Sequence, residues 1–397
     1  RDLVRSRGLG DVYKRQVIDI PVLKDSTFIL CSNVFSSVEY VPLESNSHSA
    51  IGMIDKLEFT DHGDMIVYDN RNGIIIRYDS EGHYLNKIGE RGHQKNEYVK
   101  PMDIAYDPFC NQVIVWDNIR KSLLYYNIDG SFVNKTESEL WHGSLEVLDR
   151  NYLGICTSRI IKESPYSFKF FLMDRSGKIK KEFDEYNTVA GFQRSPNCIF
   201  SNCEGKLLCH TEYSSNIFEI TRDSLIPRYH LSFGNNGIQN EWFEYDEDKF
   251  RKTLHKNKNV AYCYNFFETS HYFVTTICRE YLYLCIKEKE EFGGKLYAGY
   301  NLRDNLSGIK IIDESGGILN ISMVVPIAVN AGICYFVVEP SLFVDFTENL
   351  KKIKAQLESD SKYRGKGISD DEIRKYEMLS ENNNPIIVKC VLKSVSY

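Results

Sequence analysis

Few of the usual marks of chemistry occur in this chain of 397 residues. It has no G-x-S-x-G elbow, no H-E-x-x-H and no P-loop, which excludes the common hydrolase, metalloprotease and nucleotide-binding motifs. Calcium loops of the D-x-[DN]-x-[DN]-G kind are missing too. No apolar run reaches about 18 residues, so no membrane-spanning helix is expected. Basic excess is absent: 49 Lys and Arg stand against 55 Asp and Glu, a net charge of −6. A nucleic-acid partner would need a concentrated basic face, and none is expected.

Cysteine is plentiful, but the signs of pairing are not. The eleven cysteines are odd in number and contain no C-x-x-C pair. Most lie inside apolar strand text, as in LLCH, YLYLCI and IVKCVL, and read as buried thiols acting as small hydrophobes. Such usage fits a reducing or anaerobic setting better than a disulfide framework. Cys198, Cys203, Cys209 and His210 come nearest to a zinc cluster, and their spacing is poor for one. No metal and no cofactor is expected.

What the chain does have is a repeat. The stretch DMIVYDNRNGIIIRYDSEGHYLNKIG (Asp64–Gly89) reads as three short strands, Met65–Tyr68, Ile74–Tyr78 and Tyr84–Ile88, joined by two polar turns. β-Branched and aromatic runs bounded by Asn, Asp and Gly are the strand-and-turn signal. Asp117 follows Asp69 by 48 residues, Gly130 follows Gly82 by 48, and Gly177 follows Gly130 by 47. Gln112–Lys135 matches the first unit almost strand for strand. Arg150–Phe183 and Gly205–Phe233 give two further copies. A period near 45 with about four strands per unit is the mark of a propeller, whose small sheets bury their faces on one another. Aromatics make up 13% of the chain, as suits a β-rich protein.

The predicted fold is therefore all-β: a six-bladed β-propeller of four-stranded antiparallel blades with short helical insertions. The fifth unit is less regular and is read as Val260–Phe267, Tyr272–Cys278, Tyr281–Lys287 and Lys295–Tyr300. The sixth looks short, with Val324–Val329, Ile333–Val338 and Ile386–Leu392. Its missing strand is supplied by Val38–Pro42 from the N-terminal side, which closes the ring and removes exposed edges. Helical insertions are expected at about 241–256 and 347–380, the second holding Thr347–Glu358 and a further short helix through Leu379 that opens on the capping box Ser369-Asp370-Asp371-Glu372. Residues 1–16 carry four Arg and one Lys, have no strand rhythm and no apolar signal-peptide core. They read as a foreign or disordered segment in place of the true N-terminus, leaving 17–397 as one domain.

SSVEYVPLES (Ser36–Ser45), IGMIDKLEF (Ile51–Phe59), GERGHQKNEY (Gly89–Tyr98) and NNPIIVKCVLK (Asn383–Lys393) together resemble a six-bladed β-propeller family of unknown function from Bacteroidetes, related in shape to NHL-repeat proteins. The resemblance runs from about Val34 to Lys393. It implies an exported protein, often a lipoprotein, at the periplasm or cell surface, with no assigned activity. In that family the loop after the first unit usually reads G-x-G-P-G-E-Y. Here Gln94, Lys95 and Asn96 stand where the Pro and Gly would fall, while Gly89, Gly92, Glu97 and Tyr98 fit.

In an antiparallel four-stranded blade, the second-to-third strand turn and the blade-to-blade linker emerge on one face. That face should gather Asp69, Arg71, Asp117 and Arg120 from the turns, and Arg91, His93, Glu97 and Tyr98 from the linker. GNNGIQNEW (Gly234–Trp242) echoes GERGHQKNEY and should bring Asn240, Glu241 and Trp242 to the same face. Loops on a rigid scaffold are where binding usually resides. Tyr98 and Trp242 would be stacking surfaces, Arg91 and Glu97 polar anchors. The same residues also suit ordinary turns and inter-blade plugs. The favoured function is a non-catalytic binding module, monomeric, for a glycan, a peptide or a protein. The rival is a lyase or hydrolase acting on a saccharide or peptide in the channel, which should reveal itself by convergent carboxylates or histidines with perturbed pKa values.

Overall fold

The computed structural model describes residues 15–20, 28–140, 143–156, 168–185, 200–211, 213–306, 320–321, 325–340 and 383–394, with isolated positions between 351 and 374. Each repeat unit folds into one antiparallel sheet, and six such sheets are arranged as blades. Blade 1 contains Lys56–Phe59, Met65–Asp69, Ile74–Tyr78 and Tyr84–Lys87. Blade 2 contains Pro101–Asp107, Gln112–Asp117, Ser122–Asn127 and Phe132–Glu137. Blades 3, 4 and 5 begin at Ser144–Val147, Phe200–Cys203 and Tyr262–Glu268, and blade 6 at Ala328–Asn330. These first strands touch one another in succession, and the sixth touches the first. They therefore line a closed axis.

Side-chain alternation explains the stacking. In the second strand of blade 2, Val113 and Val115 pack with Ile66, Tyr68 and Ile75 of blade 1. Ile114 and Trp116 point the other way and pack with Leu145, Leu153 and Phe171 of blade 3. Residues i and i+1 of one strand thus serve two different inter-blade cores. This is why the middle strands read as continuous apolar runs.

The ring closes as expected. Phe35–Pro42 pairs antiparallel with Ile386–Leu392, with Val38 opposite Cys390 and Tyr40 opposite Val388. Asn384 fastens the closure. Its Oδ1 accepts from Ile51 N at 2.8 Å, and its Nδ2 donates to Glu44 O at 2.8 Å and Ser49 O at 2.6 Å.

Some features differ from expectation. Gln16–Asp19 adds a fifth strand to blade 4, parallel to Leu225–Ser232, so Gln16, the last residue of the segment read as foreign, belongs to a strand. Residues 1–14 lie outside the described residues. A small extra sheet of Ile29–Leu30, Leu302–Arg303 and Asn320–Ile321 was not anticipated. Two-residue strands from distant pieces leave no alternation to read. The opening strand of blade 6 is Ala328–Asn330, shorter than predicted. The first helical insertion opens as a 3₁₀ turn, Asn240–Glu244, before the α-helix Glu247–Lys256, capped by Asp246, whose carboxylate accepts from Lys249 N at 2.8 Å. The insertion predicted at about 347–380 lies almost wholly outside the described residues.

The ten described cysteines form no disulfide, and eight are buried. Burial pushes up the thiols of Cys31, Cys203, Cys263, Cys285, Cys334 and Cys390, Cys203 to about 11 and Cys263 to about 12, so these hold little thiolate at neutral pH. Cys198 lies outside the described residues.

Two outcomes follow from this architecture. A chain beginning after Ser45 should lose cooperative unfolding or aggregate, because Ile386–Leu392 loses its one partner on that side and becomes an exposed edge; a melt like that of the full chain would contradict the closure. A maleimide reagent should label exposed Cys110 quickly and Cys278 more slowly. The buried eight should react only after denaturation, as read by mass; rapid native labelling of Cys334 or Cys390 would contradict it.

Candidate functional site

The repeated aspartates are built into the backbone. Asp69 Oδ2 accepts from Gly52 N at 2.8 Å and Asn72 Nδ2 at 2.7 Å, and Oδ1 from Asn72 N at 2.9 Å. Asp117 Oδ2 accepts from Val99 N at 2.5 Å, and Oδ1 from Ile119 N at 2.9 Å and Arg120 N at 3.1 Å. Each carboxylate joins its own turn to the linker that enters its blade. Both are fully buried, so neither is placed to meet a ligand. This clamp accounts for the 48-residue echo.

The linker Gly89–Tyr98 folds onto the same turns. Gly89 sits at φ +61°, and a Cβ there would lie 2.6 Å from the Tyr126 ring, so only glycine fits. Tyr126 Oη donates to Asn96 O at 2.9 Å. The Glu97 carboxylate turns back onto its own loop and accepts from Gln94 N at 2.9 Å. Arg120 Nη2 donates to Gln94 O at 2.6 Å, and Arg91 Nε donates to Val99 O at 3.2 Å. Arg91 also reaches Asn72 O at 3.5 Å. Arg71, Arg91 and His93 are exposed. Asp69, Arg71, Arg91, His93, Glu97, Asp117 and Arg120 are thus gathered on one platform across blades 1 and 2.

Tyr98 does not join them as a stacking surface. It is 2% exposed and lies edge-on to Tyr126 with ring centroids 6.2 Å apart. It plugs the core between blades 1 and 2, where burial holds its phenol far above the usual range. The geometry corrects the second grouping too. Asn240, Glu241 and Trp242 leave from the blade 4 to blade 5 linker, three blades round the ring from Gly89–Tyr98. They emerge on the same face but across the axis, and cannot share one small pocket with Arg91. Asn240 and Glu241 are exposed and Trp242 is half-buried. Gly234 opens this linker at φ +56°, as Gly89 opens the other.

A charged cluster at the axis was missed. Lys56 Nζ lies 3.1 Å from Glu58 Oε1, 3.3 Å from Asp103 Oδ1 and 3.4 Å from Glu146 Oε2. It also donates to Ile104 O at 2.5 Å and Leu145 O at 3.2 Å. Asp103 Oδ2 accepts from Leu145 N at 2.8 Å. The cluster pins the first strands of blades 1, 2 and 3 together. Burial and the neighbouring Glu146 push the Glu58 carboxyl well up against the opposing pull of Lys56. Burial also raises Asp103, and Lys56 with two backbone N–H groups opposes the rise. For Lys56, burial alone would lower the ammonium, but the three carboxylates outweigh it and hold the charge. The signal was present in the text as charge inside successive first strands, KLEF, MDI and SLEV.

Beside this cluster, on the face where the first strands begin, a cavity of about 160 Å³ is lined by Asp55, Tyr264, Asn265 and Pro326 among others. Burial raises the Asp55 carboxyl, opposed by the N–H of Asn70 at 2.8 Å. Among the described residues no group of three His, Cys, Asp or Glu side chains is arranged to hold a metal ion, and no helix is long and apolar enough to cross a membrane.

The axial cluster carries a pH signature. Glu58 and Asp103 bind their protons more tightly folded than unfolded, so their contribution is full below the ordinary values of 4.5 and 3.8 and is lost as pH rises past them. Glu58→Gln keeps the shape without the charge. Its melting temperature should equal or exceed wild type at pH 7, with the gap closing below about pH 4. Lys56→Met should cost roughly 2–3 kcal/mol at pH 7, somewhat below a fully buried pair because the channel wets it. A Glu58→Gln protein less stable than wild type at every pH would contradict this account.

A Bacteroides fragilis protein whose description proposes that it is exported superposes with a TM-score of 0.74 at 13% identity, over 96% of this chain and 100% of that one. A DUF4221 family member from Bacteroides vulgatus gives a TM-score of 0.51 at 11% identity, over 91% and 97%. Virginiamycin B lyase of Staphylococcus aureus reaches 0.38 at 8% identity, over 66% and 73%, too slight a likeness to carry an argument. At such identities the likeness shows the fold alone. No curated protein matches the chain. The profile described as Domain of unknown function (DUF4934) matches residues 15–391, and the chain belongs to that family.

Proposed function

We propose that this protein is a non-catalytic binding module of the cell envelope, at the periplasm or cell surface, that takes a glycan, a peptide or a protein segment on the face formed by the second-to-third strand turns and the blade linkers. The observation that carries the reading is the platform on blades 1 and 2. Asp69, Asp117, Glu97 and Arg120 are spent on holding three loops in one arrangement. Binding therefore costs little loop ordering, which is how a rigid scaffold favours affinity. Trp242 and the Asp55 cavity offer further contacts on the same face to a ligand long enough to cross the axis. Likeness to the B. fragilis protein supports export.

A second reading has its own observation. Lys56, Glu58, Asp103 and Glu146 converge at the axis, and the Glu58 and Asp103 carboxyls are raised, the pattern an enzyme in the channel would use. Their contacts are spent on one another and on strand carbonyls, which favours a structural staple.

Glycan and peptide arrays probed with wild type, Arg71→Ala and Trp242→Ala separate the readings. Wild type should retain a defined ligand set, at least one variant should weaken it roughly tenfold, and the ligand should be recovered unchanged by mass. Recovery of cleaved ligand, with cleavage lost in Glu58→Gln, would overturn the proposal in favour of the enzyme.

A further inference from the structure

We propose that the platform on blades 1 and 2 is a docking surface for an acidic polysaccharide, a chain of uronate or sulfate-bearing sugars. This rests on the binding reading above and names its ligand class. The chain as a whole is acidic, at −6. Yet the three segments of the platform carry Arg71, Arg91, Lys95, Lys100, Arg120 and Lys121. Arg71, Arg91, Lys95 and Lys100 are exposed and have no carboxylate partner among the described residues. Arg91 is held by carbonyl oxygens, 3.2 Å from Val99 O and 3.5 Å from Asn72 O. Arg120 lies 3.8 Å from Asp117 and 2.6 Å from Gln94 O.

The carboxylates of the same segments do not neutralise this charge at the surface. Asp69 and Asp117 are fully buried and saturated by backbone donors. Glu97 is half-buried, and its carboxylate accepts from Gln94 N in its own loop. Glu90 is the one carboxylate of these segments left exposed. Several cations elsewhere are matched, as in Arg77 with Asp64, Arg175 with Asp107, Lys180 with Asp174 and Lys289 with Glu268. Unmatched cations held by a rigid loop are a site for anions, and the Arg91 guanidinium, bonded to carbonyls through Nε and Nη1, keeps its Nη2 for a carboxylate or sulfate.

The groups between the cations choose among anions. Asn72, His93, Gln94 and Asn96 are exposed and suit hydroxyl-rich sugars. Ile119 is the exposed large hydrophobic of the platform, at 60%. An acidic peptide would call for side-chain pockets, and a lipid surface for several apolar residues to insert.

The test uses the full chain and immobilised polygalacturonate, with neutral dextran, polyglutamate, duplex DNA and phosphatidylglycerol vesicles as comparisons. Wild type should bind polygalacturonate, fail on dextran, and weaken as salt rises from about 50 to about 200 mM. Arg71→Glu combined with Lys95→Glu and Lys100→Glu should lose roughly tenfold or more with an unchanged melt, because those side chains hold no internal bond. The same charge change at Lys135, Lys178 and Lys206, away from the platform, should have little effect. Equal loss in both triple variants, or equal or tighter binding to polyglutamate, DNA or vesicles, would overturn the proposal. A neutral ligand bound equally by wild type and the platform variant would overturn this ligand class and leave the binding module standing. No binding to any probe or array would sink both.

Discussion

A blade is a sheet with two apolar faces, and neither can be left in water. Everything else in this chain follows from that constraint. Val113 and Val115 need blade 1, and Ile114 and Trp116 need blade 3. Each blade passes the same demand to its neighbour, so an open row would always end on an unsatisfied face. A ring has no end. The ring is completed by Phe35–Pro42 pairing with Ile386–Leu392, two segments more than 300 residues apart. Loop-closure entropy grows only slowly with separation, and the contacts made on both faces of blade 6 offset it.

Ring formation also sorts the charged groups. Carboxylates at the turns meet backbone N–H groups that no strand can satisfy, so Asp69 and Asp117 are absorbed as clamps. Carboxylates in the first strands meet one another at the axis, and Lys56 keeps three of them together. The cations of the first inter-blade linker find no carboxylate among the described residues and remain at the surface. One architecture thus yields a structural staple at the centre and a cationic platform beside it.

Local signals explain how much was legible. Asp-Asn turns, positive-φ glycines and apolar runs recur in the text, so strand positions in blades 1, 2 and 5 and the closing strand could be read directly. Which loops share a face also followed from strand direction. Distance round the ring did not. The echo between Gly89–Tyr98 and Gly234–Trp242 marks the same linker in two places, and linear text does not say that three blades separate them. Tyr98 looked like a ligand surface because an aromatic at a loop end serves equally well as a plug, and only the packing against Tyr126 decides. The Lys56 cluster escaped because its members lie in separate repeats and meet only when the ring forms.

Closure of the ring by the N-terminal strand is the claim on which this description rests, and native-state hydrogen exchange tests it without altering the protein. If Phe35–Pro42 is an integral strand of blade 6, its amides should exchange only through the same global opening as those of Ile386–Leu392, with equal protection and equal denaturant dependence. Early exchange of 35–42 while 386–392 stays protected would mean that the strand is a loose addition to a ring already closed by other means.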